Sequence, residues 1–180
     1  MTSDKETTFV GVAGLKGSGK TTFGKILADK IHVPVMHLAD PIKKIVRDAN
    51  PGSSQGLLLS SCDDDLEAKR LHDRYRPSLI AVGEGIREYC PDFWVQCLIH
   101  DAEGADIVIV PDVRLPVEAG LMDVIVYVER PGVVSDGSDT ERDMSRYASM
   151  TVYNDGTLRD LERKAAEVIN ELGLKERVVF

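Results

Sequence analysis

Eight consecutive residues, Gly14-Leu15-Lys16-Gly17-Ser18-Gly19-Lys20-Thr21, have the types and spacing to grip a polyphosphate. They match G-x-x-x-x-G-K-[ST], in which glycine-rich backbone brings its N–H groups close around phosphate oxygens. Lys20 can reach the β- and γ-phosphates, and the Thr21 hydroxyl, with Thr22 next to it, can ligate Mg²⁺. A nucleoside triphosphate is the ligand that this arrangement predicts.

Moving a γ-phosphoryl group takes positioning and charge neutralisation more than covalent chemistry. Asp112 follows the apolar run Ala105–Val110, where a carboxylate can orient Mg²⁺ or cap a turn. Arginine suits phosphate because its planar fork donates in pairs and stays charged. The candidates are Arg87, Arg114, Arg130, Arg142 and Arg146, each as apt to form a surface ion pair as to hold a ligand; Arg87 and Arg114 rank first by their surroundings. Asp40 can cap a helix that has Pro41 at its first position, or face a substrate, or both. Trp94 is the one indole, able to pack in a core or stack on a base.

These side chains need elements to carry them. Phe9–Ala13 is a short β-branched run that reads as a buried strand. Phe23, Ile26, Leu27 and Ile31 recur at helical spacing after the glycine loop. A helix amino end there adds unpaired N–H groups and partial positive charge, both suited to an anion. Val33–Leu38, Ala105–Val110, Val124–Val128 and Met150–Tyr153 read as further strands. Helices are expected after Asp40, after Asp63-Asp64-Asp65, from Pro77, around Phe93–Leu98, at Pro116–Leu121 and over Leu158–Leu172 with Thr157 as cap. Asn50–Ser61 reads as a loop. The alternation predicts an α/β fold, a five-stranded parallel sheet with helices on both faces. Ligands bind such sheets beyond the strands' carboxyl ends. The Gly14 loop, Asp40, Asp112-Val113-Arg114, Arg130 and Asn154-Asp155 all fall there.

The chain has 180 residues, one domain's worth, with 43% hydrophobic and 29% charged residues, as in ordinary globular proteins. A net charge of −8 argues against binding nucleic acid polymers, though not against a nucleotide held by a few focused cations. Cys62, Cys90 and Cys97 are odd in number and lack metal-ligand spacing, so they read as reduced thiols. His32, His37, His72 and His100 are scattered. No signal-peptide core or membrane-length apolar run is present, which predicts a cytoplasmic protein.

Further segments carry a resemblance. Ala39-Asp40-Pro41-Ile42-Lys43, Gly83-Glu84-Gly85-Ile86-Arg87 with Trp94 seven residues on, Asp112-Val113-Arg114-Leu115-Pro116-Val117-Glu118-Ala119, Val128-Glu129-Arg130-Pro131-Gly132 and Asn154-Asp155-Gly156-Thr157-Leu158 join the glycine loop. Together the chain resembles the deoxynucleoside monophosphate kinases of bacteriophages, a branch of the P-loop nucleotide kinases. The resemblance implies a three-layer α/β/α P-loop fold with core 8–50 and 104–180, a helical nucleotide-binding region over about 51–103 and a short lid over about 133–147. It implies ATP and Mg²⁺ as cofactors, with ATP on Gly14–Thr22, its base flanked by Arg130, Asn154, Asp155 and Gly156. The acceptor monophosphate would lie near Asp40, Lys43, Glu84, Arg87 and Trp94, with Asp112 and Arg114 between donor and acceptor. Arg142 or Arg146 would come from the lid, and a homodimer is common in this family. The chain has Val82-Gly83-Glu84 where the family has Gly-Thr-Glu, and Leu115 and Val117 where it has Phe and Asn, positions that bear on base selectivity.

Two other readings share parts of this pattern. Dephospho-coenzyme A kinases and other small-metabolite kinases have the same strand–loop–helix start and the Asp after the second strand. A GTP-binding switch is weakly suggested by Asp101-Ala102-Glu103-Gly104, but no asparagine is followed by Lys-x-Asp.

Overall fold

The computed structural model describes residues 7–49, 66–135, 137 and 142–174, with side chains described from 74 onward in the second stretch. The expected loop Asn50–Ser61 and the Asp63–Asp65 helix start lie outside them, as does Cys62. The chain divides into two units, Met1–His37 with Ile99–Phe180, and Leu38–Leu98.

The first unit is built on strand β1 (Thr8–Ala13), whose five residues Phe9–Ala13 are all buried. Strands β2 (Ile107–Val110), β3 (Val124–Glu129) and β4 (Met150–Tyr153) complete a sheet in the order β2-β1-β3-β4, all parallel. Apolar runs with little alternation are what a sheet buried on both faces requires. Helix α1 (Lys20–Ile31) and the last helix, Leu158–Glu171, pack against each other. Phe23, Leu27 and Ile31 of α1 meet Val10, Val12, Ile109, Val126 and Val128 of the sheet, and Leu161, Ala165 and Val168 of the last helix join them. Burying a side chain such as Val10 or Leu27 contributes about 1.5–3 kcal/mol. On the opposite face Gly11 leaves room for Met122, whose Cγ would stand 2.7 Å from an added Cβ.

The sheet has four strands rather than five. Val33–Leu38 forms a single parallel bridge, Val35 to Ile109, beside β2. The Ile109 N–H donates to Pro34 O and Met36 N–H donates to Ile109 O, each at 3.0 Å. Pro34 has no N–H to give, and the Val33 N–H is spent on Ala28 O at the end of α1, so the ladder cannot lengthen backwards.

The second unit contains α2 (Asp40–Asp48), α3 (Leu66–Tyr89) and most of α4 (Phe93–Asp101). The helix after Ala39 includes Asp40 as its first residue, with Ala39 as cap, so Asp40 is not the cap that the sequence suggested. Its carboxylate instead lies in the first turn, where the helix dipole favours it. Pro77 does not open a new helix; α3 runs through it. Pro77 is exposed, and the turns after it are held by α2, with Ile42 Cδ1 where it would stand 3.2 Å from a Cβ on Gly83. That packing offsets the lost hydrogen bond. Cys90 and Cys97 form no disulfide among the described residues. Among the described residues no helix is long and apolar enough to cross a membrane.

In the first unit, α5 (Pro116–Ala119) follows β2, and α6 (Leu158–Glu171) ends the described chain. Thr157 caps α6 as its position predicts. The Thr157 hydroxyl accepts from the Asp160 N–H at 3.3 Å, and Asp160 accepts from the Thr157 N–H at 2.9 Å and from its hydroxyl at 2.7 Å. The Thr157 hydroxyl and amide hold the Asp160 carboxyl below the usual range. A carboxylate depressed in the folded state stabilises it above the unfolded pKa, and that contribution disappears as pH falls through the lowered value. Denaturant unfolding should therefore show stability falling below about pH 4, and Asp160→Asn should flatten that acid limb while lowering stability at neutral pH.

Candidate active site

The loop between β1 and α1 is shaped by its glycines. Gly14 has φ of +149° and Gly19 of +93°, conformations that side chains rarely adopt. Space is equally restrictive. A Cβ on Gly14 would run into Val128 O and the Ser18 hydroxyl, and one on Gly19 would run into Asn154 Nδ2. Gly19 caps α1 in the left-handed conformation without any side-chain cap, leaving the first amides of the helix for an anion. Lys20 is 8% exposed, and its Nζ donates to Leu15 O at 3.3 Å, so the ammonium is folded over its own loop. Ser18 is 1% exposed and its hydroxyl has no hydrogen-bond partner among the described residues. Lys16 and Thr22 are exposed and Thr21 is half-buried at the helix start. A cradle of this shape, with a cation curled over it, fits a polyphosphate.

The neighbouring strand β2 places a carboxylate beside this loop. Gly11 pairs with Val110, so the chain leaves β1 and β2 side by side at one edge. Asp112 is 14% exposed there, with His37 Nδ1 3.8 Å from its Oδ2. No trio of His, Cys, Asp or Glu able to hold a metal exists among the described residues. A Mg²⁺ at Thr21 and Asp112 would need phosphate oxygens and water as its other ligands, which is how this ion is commonly held. Sequence reading left His37 among scattered histidines; the single bridge at Val35 is what brings it to Asp112.

Glu118, within the segment Asp112–Ala119, positions the turn that precedes it. It is 3% exposed, and its Oε2 accepts from the Arg114 N–H at 2.7 Å and the Leu115 N–H at 2.9 Å. This buried carboxylate fixes the turn from which the exposed Arg114 side chain projects. The spacing Arg-x-x-x-Glu before a short helix was the available signal.

On the other side of β1, β3 and β4 end in register, Glu129 with Tyr153, so Arg130 and Asn154 leave the sheet together. Arg130 is exposed, its carbonyl accepting from the Val133 N–H at 3.2 Å. The Asn154 side chain reaches the glycine loop itself, donating from Nδ2 to Ser18 O at 2.8 Å. Asp155 is tied to Lys164 at 2.6 Å, which with its own amide holds the carboxyl below the usual range. Gly156 is exposed. Of the expected lid, residues 136 and 138–141 lie outside the described residues. Arg142 and Arg146 are both exposed, and the Arg146 guanidinium lies 4.8 Å from the centre of the Tyr147 ring. Met144 between them is 2% exposed, which anchors this stretch.

The remaining predicted residues belong to the unit Leu38–Leu98. Lys43 Nζ pairs with Asp40 Oδ1 at 3.1 Å. Arg87 is half-buried in the last turn of α3, and Glu84 is exposed. Trp94 was expected among the substrate contacts by resemblance, but it is a core residue: it is 2% exposed, its indole N–H donates to Gly83 O at 3.0 Å, and Phe93 meets it edge-on at 4.9 Å. A large apolar indole with its one donor satisfied is in its most favourable place there.

No family model matches the chain, and no curated protein sequence matches it. Solved structures do. The chain is similar to TT1252 from Thermus thermophilus, at 18% identity over 93% of this chain and 99% of that one, with a TM-score of 0.56. It is also similar to a shikimate kinase from Aquifex aeolicus (12% identity, 93% and 99% covered, TM-score 0.48) and a dephospho-CoA kinase from Campylobacter jejuni (17%, 92% and 97%, 0.46). The first likeness shows the α/β fold.

The Glu118 carboxylate yields a direct expectation. Glu118→Ala strands two amides at a buried position, which should cost about 1–3 kcal/mol of unfolding free energy in urea titration. Glu118→Gln retains an acceptor oxygen and should recover part of that loss.

Proposed function

We propose that this chain is a P-loop kinase that transfers the γ-phosphoryl group of ATP to a deoxynucleoside monophosphate. The observation that carries the reading is the loop Gly14–Thr22, in which glycine-only backbone, an open helix start and the folded-over Lys20 converge on one place.

In the proposed reaction the bond between the γ-phosphorus and the β–γ bridging oxygen breaks. A bond forms from that phosphorus to an oxygen of the acceptor phosphate, giving ADP and a deoxynucleoside diphosphate. A monophosphate is largely a dianion at neutral pH, so its oxygen attacks without surrendering a proton. Charge neutralisation is then the main demand on the protein. Gly14–Thr22 hold the donor phosphates, with Lys20 moving from Leu15 O to the transferred group. Thr21 and Asp112 would hold a Mg²⁺ ion, which would supply further positive charge to the phosphates. Arg114, aimed by Glu118, and Arg87 stabilise the transferred group. Asp40, Lys43, Glu84 and Arg87 bind the acceptor, Arg130, Asp155 and Gly156 line the donor base, and Arg142 or Arg146 closes the lid against water. The deoxynucleotide acceptor rests on Asp112-Val113-Arg114 with Glu118, and on Asp40 with Lys43, residues that carry the family resemblance.

Coupled ADP release in the presence of Mg²⁺ tests this. ATP with dAMP, dGMP, dTMP, dCMP or AMP should give stimulated release with at least one deoxynucleotide, and Lys20→Ala should lower it by about 100-fold or more. Silence toward every deoxynucleotide would sink the acceptor assignment, and a response to dephospho-coenzyme A alone would replace it.

A further inference from the structure

The side chain of Asn154 lies 136 residues from Ser18 in sequence, yet its Nδ2 donates to Ser18 O at 2.8 Å. The residue is itself fixed. Its backbone N–H donates to Glu129 O at 2.6 Å, extending the β3–β4 ladder by one bond. Lys164 then bridges Tyr153 O and the Asp155 carboxylate on either side of it. Gly19 can adopt its position only because it has no Cβ to strike Nδ2. At the start of the loop Val128 O is packed against Gly14 in the same manner. The glycine loop is therefore held against the ends of β3 and β4.

The Ser18–Gly19 peptide gives this contact a chemical consequence. In a trans peptide the carbonyl and the following N–H point in opposite directions. Fastening Ser18 O to Asn154 therefore turns the Gly19 N–H to the opposite side of the peptide plane. The Ser18 N–H is already spent on Leu15 O at 3.1 Å, whereas the Gly19 amide stands where a helix start offers no carbonyl within the helix.

Building on the kinase reading above, we infer that Asn154 is a positioning residue for the donor triphosphate: by holding Ser18 O it aims the Gly19 N–H at a phosphate oxygen. It acts on the polyphosphate and not on the base, although its position in the sequence suggests the base. The acceptor site is not involved.

Calorimetric binding of two probes, Mg·ATP and Mg·tripolyphosphate, separates these roles, because tripolyphosphate has no base. Asn154→Asp replaces the donor by an oxygen facing Ser18 O, and Asn154→Ala removes the donor without adding charge. Both variants should bind both probes more weakly and by the same factor, about tenfold for Asn154→Asp and less for Asn154→Ala, with melting temperatures in the absence of ligand close to wild type. Loss of ATP affinity with unchanged tripolyphosphate affinity would assign Asn154 to the base and overturn the proposal, as would unchanged affinity for both. Wild-type protein that binds neither probe would refute the kinase reading itself. Should either variant unfold, the wild-type Gly19 amide resonance provides the answer: it should move on adding Mg·tripolyphosphate, and a stationary resonance overturns the proposal.

Discussion

Strand β1 has a parallel partner on both sides, and this constraint sets the position of everything chemical in the first unit. A strand enclosed by β2 and β3 must deliver its following loop to the middle of the sheet's carboxyl edge. Because all partners run the same way, their own carboxyl ends open at that edge too. Asp112 therefore emerges on one side of the glycine loop, Arg130 and Asn154 on the other. Nothing in their sequence spacing requires this; parallel pairing does.

Within that frame the loop is shaped by its neighbours as much as by its own residues. Gly14 lies against Val128 O and Gly19 against Asn154, so a methyl group at either position collides with a neighbouring strand end before any ligand is considered. The left-handed start at Gly19 would be strained for other residues, and it exposes the helix amides in the same step. The buried Ser18 hydroxyl, which has no partner among the described residues, is a polar group that an ordinary core would satisfy.

Side chains bonded to backbone do much of the positioning. Glu118 gathers the amides of Arg114 and Leu115, Asp160 accepts from the amide and hydroxyl of Thr157, and Lys164 ties Tyr153 O to Asp155. Each tie fixes a turn between regular elements, where the main chain has no ladder of its own to hold it. Glu118 differs from the others in being buried, so its removal exposes the cost of unmet donors directly, whereas the surface ties are tempered by water.

The residues by themselves determined the α/β class, the glycine loop between β1 and α1, the cap at Thr157 and four of the strands, because these depend on local patterns: apolar runs, glycine spacing and a hydroxyl three residues before a carboxylate. Local pattern misjudged Val33–Leu38, where Pro34 and the Val33 bond to Ala28 cut a strand to one bridge. It broke a helix at Pro77 that packing by α2 carries through, and made Asp40 a cap when Ala39 holds that place. Only the tertiary structure decided that Trp94 is core, that His37 stands beside Asp112 and that Asn154 grips the phosphate loop. The reason is common to all three: each depends on a contact between segments far apart in the chain, and sequence spacing carries no record of such a distance.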